Sequence, residues 1–177
     1  MKKKILSPDY VKLLFTYDNG KLIWNQRPLE HFKCIRNCNM WNTQNAGKEA
    51  GRIRKSGKGY RCDIGIDNIS YSRYIIVWAI HKNEWRPGEI DHKDVDSLND
   101  KIENLRIANK FQNIMNRKVS KNNKLGIKGV RKKCGKFESA IKIHGKTIYL
   151  GRFLNLEDAK FAYLEAANKY AGEFARG

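Results

Sequence analysis

Between Ile127 and Ala171 the chain changes its hydrophobic period once, and that change restricts the fold more than any other feature. Val130, Phe137, Ile141, Ile143, Ile148 and Leu150 alternate with polar or basic residues through three runs, Ile127–Lys133, Lys136–His144 and Thr147–Phe153. A period of two marks strands with one face on a core. Gly135 and Gly145-Lys146 stand where the turns must come. From Leu156 to Ala171 the period becomes helical, with Ala159, Ala162, Tyr163, Ala166, Ala167 and Tyr170 on the packing side. Asn155 is the N-cap and Gly172 the stop. A sheet buries one apolar face only against another element, so the segment is expected to be a three-stranded antiparallel sheet packed on one helix. Its outward positions are then Arg131, Lys133, Lys142, His144 and Tyr149.

That outward face is basic, and so is the chain. Lys and Arg number 36 against 18 Asp and Glu, a formal charge of +18. Such an excess argues for a polyanionic partner. The basic residues do not line one amphipathic helix, there is no lipidation motif, and no apolar run approaches the roughly 18 residues of a membrane span. Nucleic acid is therefore the expected partner, with no membrane. Met1-Lys2-Lys3-Lys4-Ile5-Leu6 lacks the apolar core and cleavage site of a signal peptide, so a cytoplasmic, non-secreted protein is expected.

The charge is unevenly spread: net +9 over residues 1–89, zero over 90–117, and +9 over 118–177. The neutral middle holds Asp91, Asp94, Asp96 and Asp100, acids that would suit a cation between two basic flanks.

Upstream, Ser7-Pro8 opens a short helix to Leu14, and Asp18-Asn19-Gly20 is a hairpin turn before Lys21–Trp24. Residues 26–58 have little periodicity and are expected to be loop. Tyr60, Cys62, Ile64 and Ile66 alternate as a half-buried strand, turned at Asp67-Asn68 into Ile69–Tyr71. Arg73–His81 is expected to be a helix, stopped by Trp85-Arg86-Pro87-Gly88. His31, Cys34, Cys38 and Cys62 could begin a zinc site, but no Cys-x-x-Cys pair exists and the spacing is irregular. Structural zinc is not expected, and the thiols read as reduced.

The chemistry concentrates in the middle. Glu89–His92 is a strand end, 93–103 a polar loop, Leu105–Ile107 a second strand, and Asn109 to about Val119 a helix. Asp91 is a hard oxygen donor suited to Mg²⁺ or Mn²⁺. His92 beside it can take a proton from water near neutral pH. The amide oxygen of Asn113 can complete the protein's share of a metal shell, with Asn116 one helical turn away.

Asp91-His92, Glu103-Asn104-Leu105-Arg106, Gln112-Asn113 and Asn116-Arg117, with Tyr60–His81 upstream, resemble an HNH endonuclease of the His-Asn-Asn type found in phage and introns. The resemblance implies a ββα-metal unit in which Asp91 and Asn113 bind one metal ion. His92 is the general base in that scheme, and Asn104 orients the loop and the base. The last H of the family name is Asn here. Residues 127–174 resemble the DNA-binding domain of plant ethylene-response factors, the Apetala-two type. The match runs through Gly129-Val130-Arg131, Lys136-Phe137, Ala140-Ile141-Lys142, Tyr149-Leu150-Gly151, Phe153, Glu157, Ala159, Ala162-Tyr163 and Ala166-Ala167. That family puts the sheet in the major groove. Cys134 stands where the plant domains often carry Trp.

The expectation is an α+β protein. Residues 1–119 form an HNH domain with its core at about 89–119, 120–126 a linker, and 127–177 an Apetala-two-type domain. Arg131 is the candidate guanine contact, Lys128, Lys133 and Lys142 contact phosphate, and Tyr149 lies on the same face. The resemblances imply hydrolysis of phosphodiesters in double-stranded DNA with one Mg²⁺ or Mn²⁺ and no small-molecule cofactor, by a monomeric enzyme of nicking or homing type, in the host nucleoid if phage-encoded. The alternative is a non-catalytic DNA-binding regulator. A basic RNA-binding or packaging protein is weaker, because only Tyr149 is placed for base stacking.

Overall fold

The computed structural model describes residues 5–57, 59–85 and 88–176. Met1–Lys4 and the Arg86-Pro87 part of the expected helix stop lie outside them. The chain is α+β and divides into two compact units, Met1–Ile107 and Ala108–Gly177.

The first unit opens with helix α1 (Pro8–Leu14). Ser7 caps it, its side chain accepting from the Tyr10 N–H, and Pro8 fills the first turn where no donor is needed. Strands β1 (Phe15–Asp18) and β2 (Lys21–Trp24) pair antiparallel, Asp18 opposite Lys21, around the left-handed Asn19-Gly20 turn. A second sheet has the order β3–β4–β5, from β3 (Arg52–Ser56), β4 (Gly59–Ile66) and β5 (Ile69–Ser72). Helix α3 (Arg73–Lys82) follows and ends on Asn83 in the left-handed region. It buries Ile76 to Ala79 against Leu14, Leu22, Ile64, Ile66 and Tyr71. Strands β6 (Glu89–His92) and β7 (Leu105–Ala108) pair as a two-stranded sheet.

Residues 26–58 are not simply loop. They hold helix α2 (Ile35–Asn45) and strand β3. Hydrophobic period could not find either one. Helix α2 buries only Cys38, and every residue of β3 is exposed. Side chains and pairing hold them instead: Asn42 exchanges hydrogen bonds with the Arg27 backbone, and β3 pairs with β4 from Arg52–Asp63 to Ser56–Gly59. Tyr60, expected on the inner face, is 56% exposed, because this end of the β3–β4 ribbon runs clear of the core.

In the second unit, helix α4 (Lys110–Asn116) starts on an Asn109–Gln112 capping box. It ends three residues before the expected Val119. Strands β8 (Val130–Lys133), β9 (Lys136–Ile143) and β10 (Lys146–Phe153) form a sheet ordered β10–β9–β8. Helix α5 (Leu156–Ala171) packs on it, capped by Asn155. Val130, Ile141, Ala159, Tyr163, Ala166, Ala167 and Phe174 are the core. Gly129 is indispensable there: at φ +67 a Cβ would overlap the Tyr163 ring and the Ala140 carbonyl. Met115 is buried in this core and α4 packs on α5, so α4 belongs with the sheet that follows it. The sequence-based division closed the first domain later, at 119.

Candidate active site and nucleic-acid interface

The end of β6 carries Asp91 and His92, and each is oriented by a different partner. Arg106, on β7, donates Nε–H to Asp91 Oδ2 at 3.1 Å, and both side chains are nearly buried. His92 Nε2 lies 2.8 Å from Asp100 Oδ1, with the ring edge-on to Tyr74 at 5.5 Å. Asp100 is 1% exposed, and its second oxygen accepts from Arg73 Nε at 2.7 Å. Arg73 opens α3. Its other nitrogens donate to Glu49 Oε1 at 3.1 Å and to the Leu98 carbonyl at 2.9 Å. Burial alone would lower the Arg73 pKa, but the hydrogen bond and charge of Asp100 outweigh it and hold the guanidinium above its ordinary value. A chain of charges thus runs inward from the exposed Glu49 through buried Arg73 and Asp100 and ends on His92.

The 93–103 loop is held from several sides. Asn104 Nδ2 donates to Asp94 Oδ1 at 3.0 Å and to the Asn99 carbonyl at 2.8 Å, while its Oδ1 accepts from the Asp94 N–H at 3.2 Å. One amide therefore staples both halves of the loop. Burial tends to raise the Asp94 carboxyl, but hydrogen bonds from Asn99, the Asp96 backbone and Asn104 hold it below its ordinary range. The Ser97 hydroxyl donates to the Tyr60 carbonyl. The β1–β2 turn braces the far end: a Cβ on Gly20 would come within 2.9 Å of the Lys101 nitrogen, and Tyr17 Oη accepts from the Ile102 N–H at 3.3 Å. Val95, β-branched, adopts φ +59, a left-handed conformation that such a residue takes only when its surroundings impose it.

Asn104, expected to orient the loop and the base, ties both halves of the loop, and Asp100 is hydrogen-bonded to His92. Sequence reading grouped Asp94 and Asp100 among acids for a cation. Both are instead spent on internal contacts. Neither Asp100 nor Arg73 could be singled out beforehand, since their pairing joins residues 27 positions apart. Asn113 lies on α4 in the second unit, where its N–H donates to the Asn109 carbonyl. Asn116, the competing ligand, is buried, whereas Asn113 is half-buried. Among the described residues no group of three or more His, Cys, Asp or Glu side chains could hold a metal ion. Cys34 and Cys134 are exposed, and Cys38 and Cys62 are buried.

The basic face of the second unit follows from strand register. Val130 faces Ser139, and Arg131 faces Glu138. Lys142 faces Thr147, and Tyr149 faces Ala140. Arg131, Lys133, Lys136, Lys142 and Tyr149 therefore share the side opposite the core. Arg152 joins them because a β-bulge between Tyr149 and Gly151 reverses the parity of β10, bringing Arg152 opposite Glu138. Strict alternation from Tyr149 would have turned Arg152 inward. Glu138 is the one acid on this face. Its oxygen accepts from Arg131 at 2.9 Å, and Lys133 lies 3.7 Å away. The Arg131 hydrogen bond, aided by the charges of Lys133 and Arg152, holds its carboxyl below the ordinary range.

Lys128 does not belong to this face. Its Nζ donates to the Met115 and Arg176 carbonyls at 2.7 and 2.6 Å. Burial, with the nearby Arg176 charge, brings its pKa down to about 8. It clamps two chain segments inside the second unit and is removed from the candidate phosphate contacts.

No family model, curated protein or solved structure matches the chain. Among the described residues no helix is long and apolar enough to cross a membrane.

Proposed function

We propose that this chain is a divalent-metal-dependent DNA endonuclease of the HNH type, carried to DNA by the basic sheet of its second unit. The observation that carries the reading is the separate orientation of two neighbouring groups. Asp91 is fixed by Arg106 and His92 by Asp100, so a carboxylate and an imidazole at one strand end are each oriented by a partner of their own.

Asp91 fits a hard cation: it is an oxygen donor whose carboxylate plane is set by Arg106. The assignment of Asn113 as second protein ligand rests on the sequence resemblance alone, with Asn116 one helical turn away as the competing ligand. A bound Mg²⁺ or Mn²⁺ would supply positive charge to the scissile phosphate and the leaving oxygen. His92 takes a proton from water as the water oxygen bonds to phosphorus. The bond from phosphorus to the 3′ oxygen breaks, its electron pair stays on that oxygen, and solvent supplies the proton. The products are a 5′-phosphate and a 3′-hydroxyl. His92 then returns its proton to solvent. One site cuts one strand, so nicking is the expected product.

Arg131, Lys133, Lys136, Lys142 and Arg152 supply phosphate charge and a guanidinium for guanine reading. The formal charge of +18 supports the same partner. A DNA-binding regulator would use this face alone and would bind without cutting.

Supercoiled plasmid separates the two. With Mg²⁺ or Mn²⁺ at low salt, the wild-type chain should convert it to open circles with ligatable 5′-phosphate ends, and His92→Ala should not. Plasmid left intact under both metals would remove the nuclease reading and leave the regulator.

A further inference from the structure

Asp100 is the most deeply buried acid in the chain, at 1% exposure, and it faces both a guanidinium and an imidazole. A carboxylate has only acceptor positions. Arg73 Nε must donate to Oδ2, so the atom opposite Oδ1 must donate as well, and that atom is His92 Nε2. The contact thus selects one neutral imidazole tautomer, with hydrogen on Nε2 and the lone pair on Nδ1.

We propose that Asp100 is a positioning residue for His92: held in place by Arg73, its carboxylate commits the imidazole to the tautomer whose Nδ1 takes the proton from the attacking water. This rests on the nuclease reading for its catalytic consequence, but the tautomer itself does not. After proton transfer the imidazolium keeps Nε2–H on Asp100, so the new positive charge forms beside a carboxylate already in position. The supporting frame is extensive. Glu49 bridges to β2 through its backbone opposite Ile23 and holds Arg73 by its side chain, while Arg73 also ties down the loop at Leu98. The Gly20 turn lies against the backbone at Asp100 and Lys101. Four structural elements therefore converge on one carboxylate whose other contact is the candidate base.

The substitution Asp100→Asn makes a sharp test because Arg73 dictates how the amide sits. The guanidinium requires the amide oxygen, so the amide nitrogen must face His92 Nε2 and donate to it. The imidazole is then forced to carry its hydrogen on Nδ1, the wrong place for a base. The chain has four histidines, so long-range proton–nitrogen NMR correlations can be assigned with His92→Gln. With the imidazole neutral, wild-type His92 should show hydrogen on Nε2, and Asp100→Asn should move it to Nδ1. Plasmid nicking should fall by about 10²-fold or more in Asp100→Asn, on the scale seen when the acid orienting a catalytic histidine becomes an amide, while DNA affinity is unchanged. Wild-type His92 carrying its hydrogen on Nδ1 would overturn the proposal without any variant. Undiminished nicking by Asp100→Asn with a switched tautomer would overturn it as well. The expected tautomer in a wild-type chain that cuts no DNA would support the Asp100 pairing and reject the nuclease reading instead.

Discussion

The two units of this chain use similar charged residues in opposite ways. In the first, Glu49, Arg73 and Asp100 form a linked, largely buried series with His92 at its end. In the second, Arg131, Lys133, Lys136, Lys142 and Arg152 stand on an open sheet face around a single Glu138. Charges taken out of water are costly unless each is paired with good geometry, so the first arrangement sets one conformation. Exposed pairs contribute little to stability, so the second is free to meet an outside anion. On the proposed reading, orientation of the base and affinity for a polyanion fall to different units, and perturbing each should have different consequences.

The largest expected effect tests the buried series. Arg73→Met leaves Asp100 without its guanidinium and should destabilise the first unit by about 3–5 kcal/mol, measured by chemical denaturation. A loss under about 1 kcal/mol would mean that the series is not a structural keystone. Next comes Gly129→Ala, which adds left-handed strain and a collision with Tyr163 and the Ala140 carbonyl. It should cost about 2–4 kcal/mol, with the loss of protected amides confined to residues 108–176 in hydrogen exchange. Equal loss in both units would show that they do not unfold separately.

On the open face, Lys142→Ala should leave thermal stability unchanged and lower the salt dependence of DNA binding by about one unit of slope. The smallest effect concerns Glu138. Its folded pKa is depressed, so its contribution is present above the unfolded carboxyl pKa of about 4.3 and is lost as pH falls through the folded value. Glu138→Gln should therefore flatten the acid limb of the second unit's melting curve and leave the neutral region alone. An unchanged acid limb would show that Arg131 is not held by this contact.

The second unit was legible in the sequence because its elements carry the signals that physics writes locally. Alternation marked Val130, Phe137 and Ile141, Asn155 and Gly172 bounded α5, and α5 spans Leu156–Ala171 as expected. What failed there depends on pairing. The bulge that turns Arg152 outward leaves no mark on alternation, and the capture of Lys128 by two carbonyls needs segments 13 and 48 residues away. In the first unit α1, the Asn19-Gly20 turn and α3 were readable from caps, turn residues and apolar runs. Helix α2 and strand β3 were not, because neither buries an apolar stripe. The Asp91-His92 pair drew notice by its chemistry, while Asp100 passed as one loop acid among four. Its role comes from Arg73 on another element, and only the folded chain brings them together.

Single-turnover cleavage of duplex DNA at saturating protein tests the division of labour most directly, with wild type, His92→Ala and Lys142→Ala compared under Mg²⁺. The account predicts that His92→Ala binds like wild type but does not cut, while Lys142→Ala binds more weakly yet cuts at the wild-type rate once saturated. Cleavage by His92→Ala at the wild-type rate would contradict it.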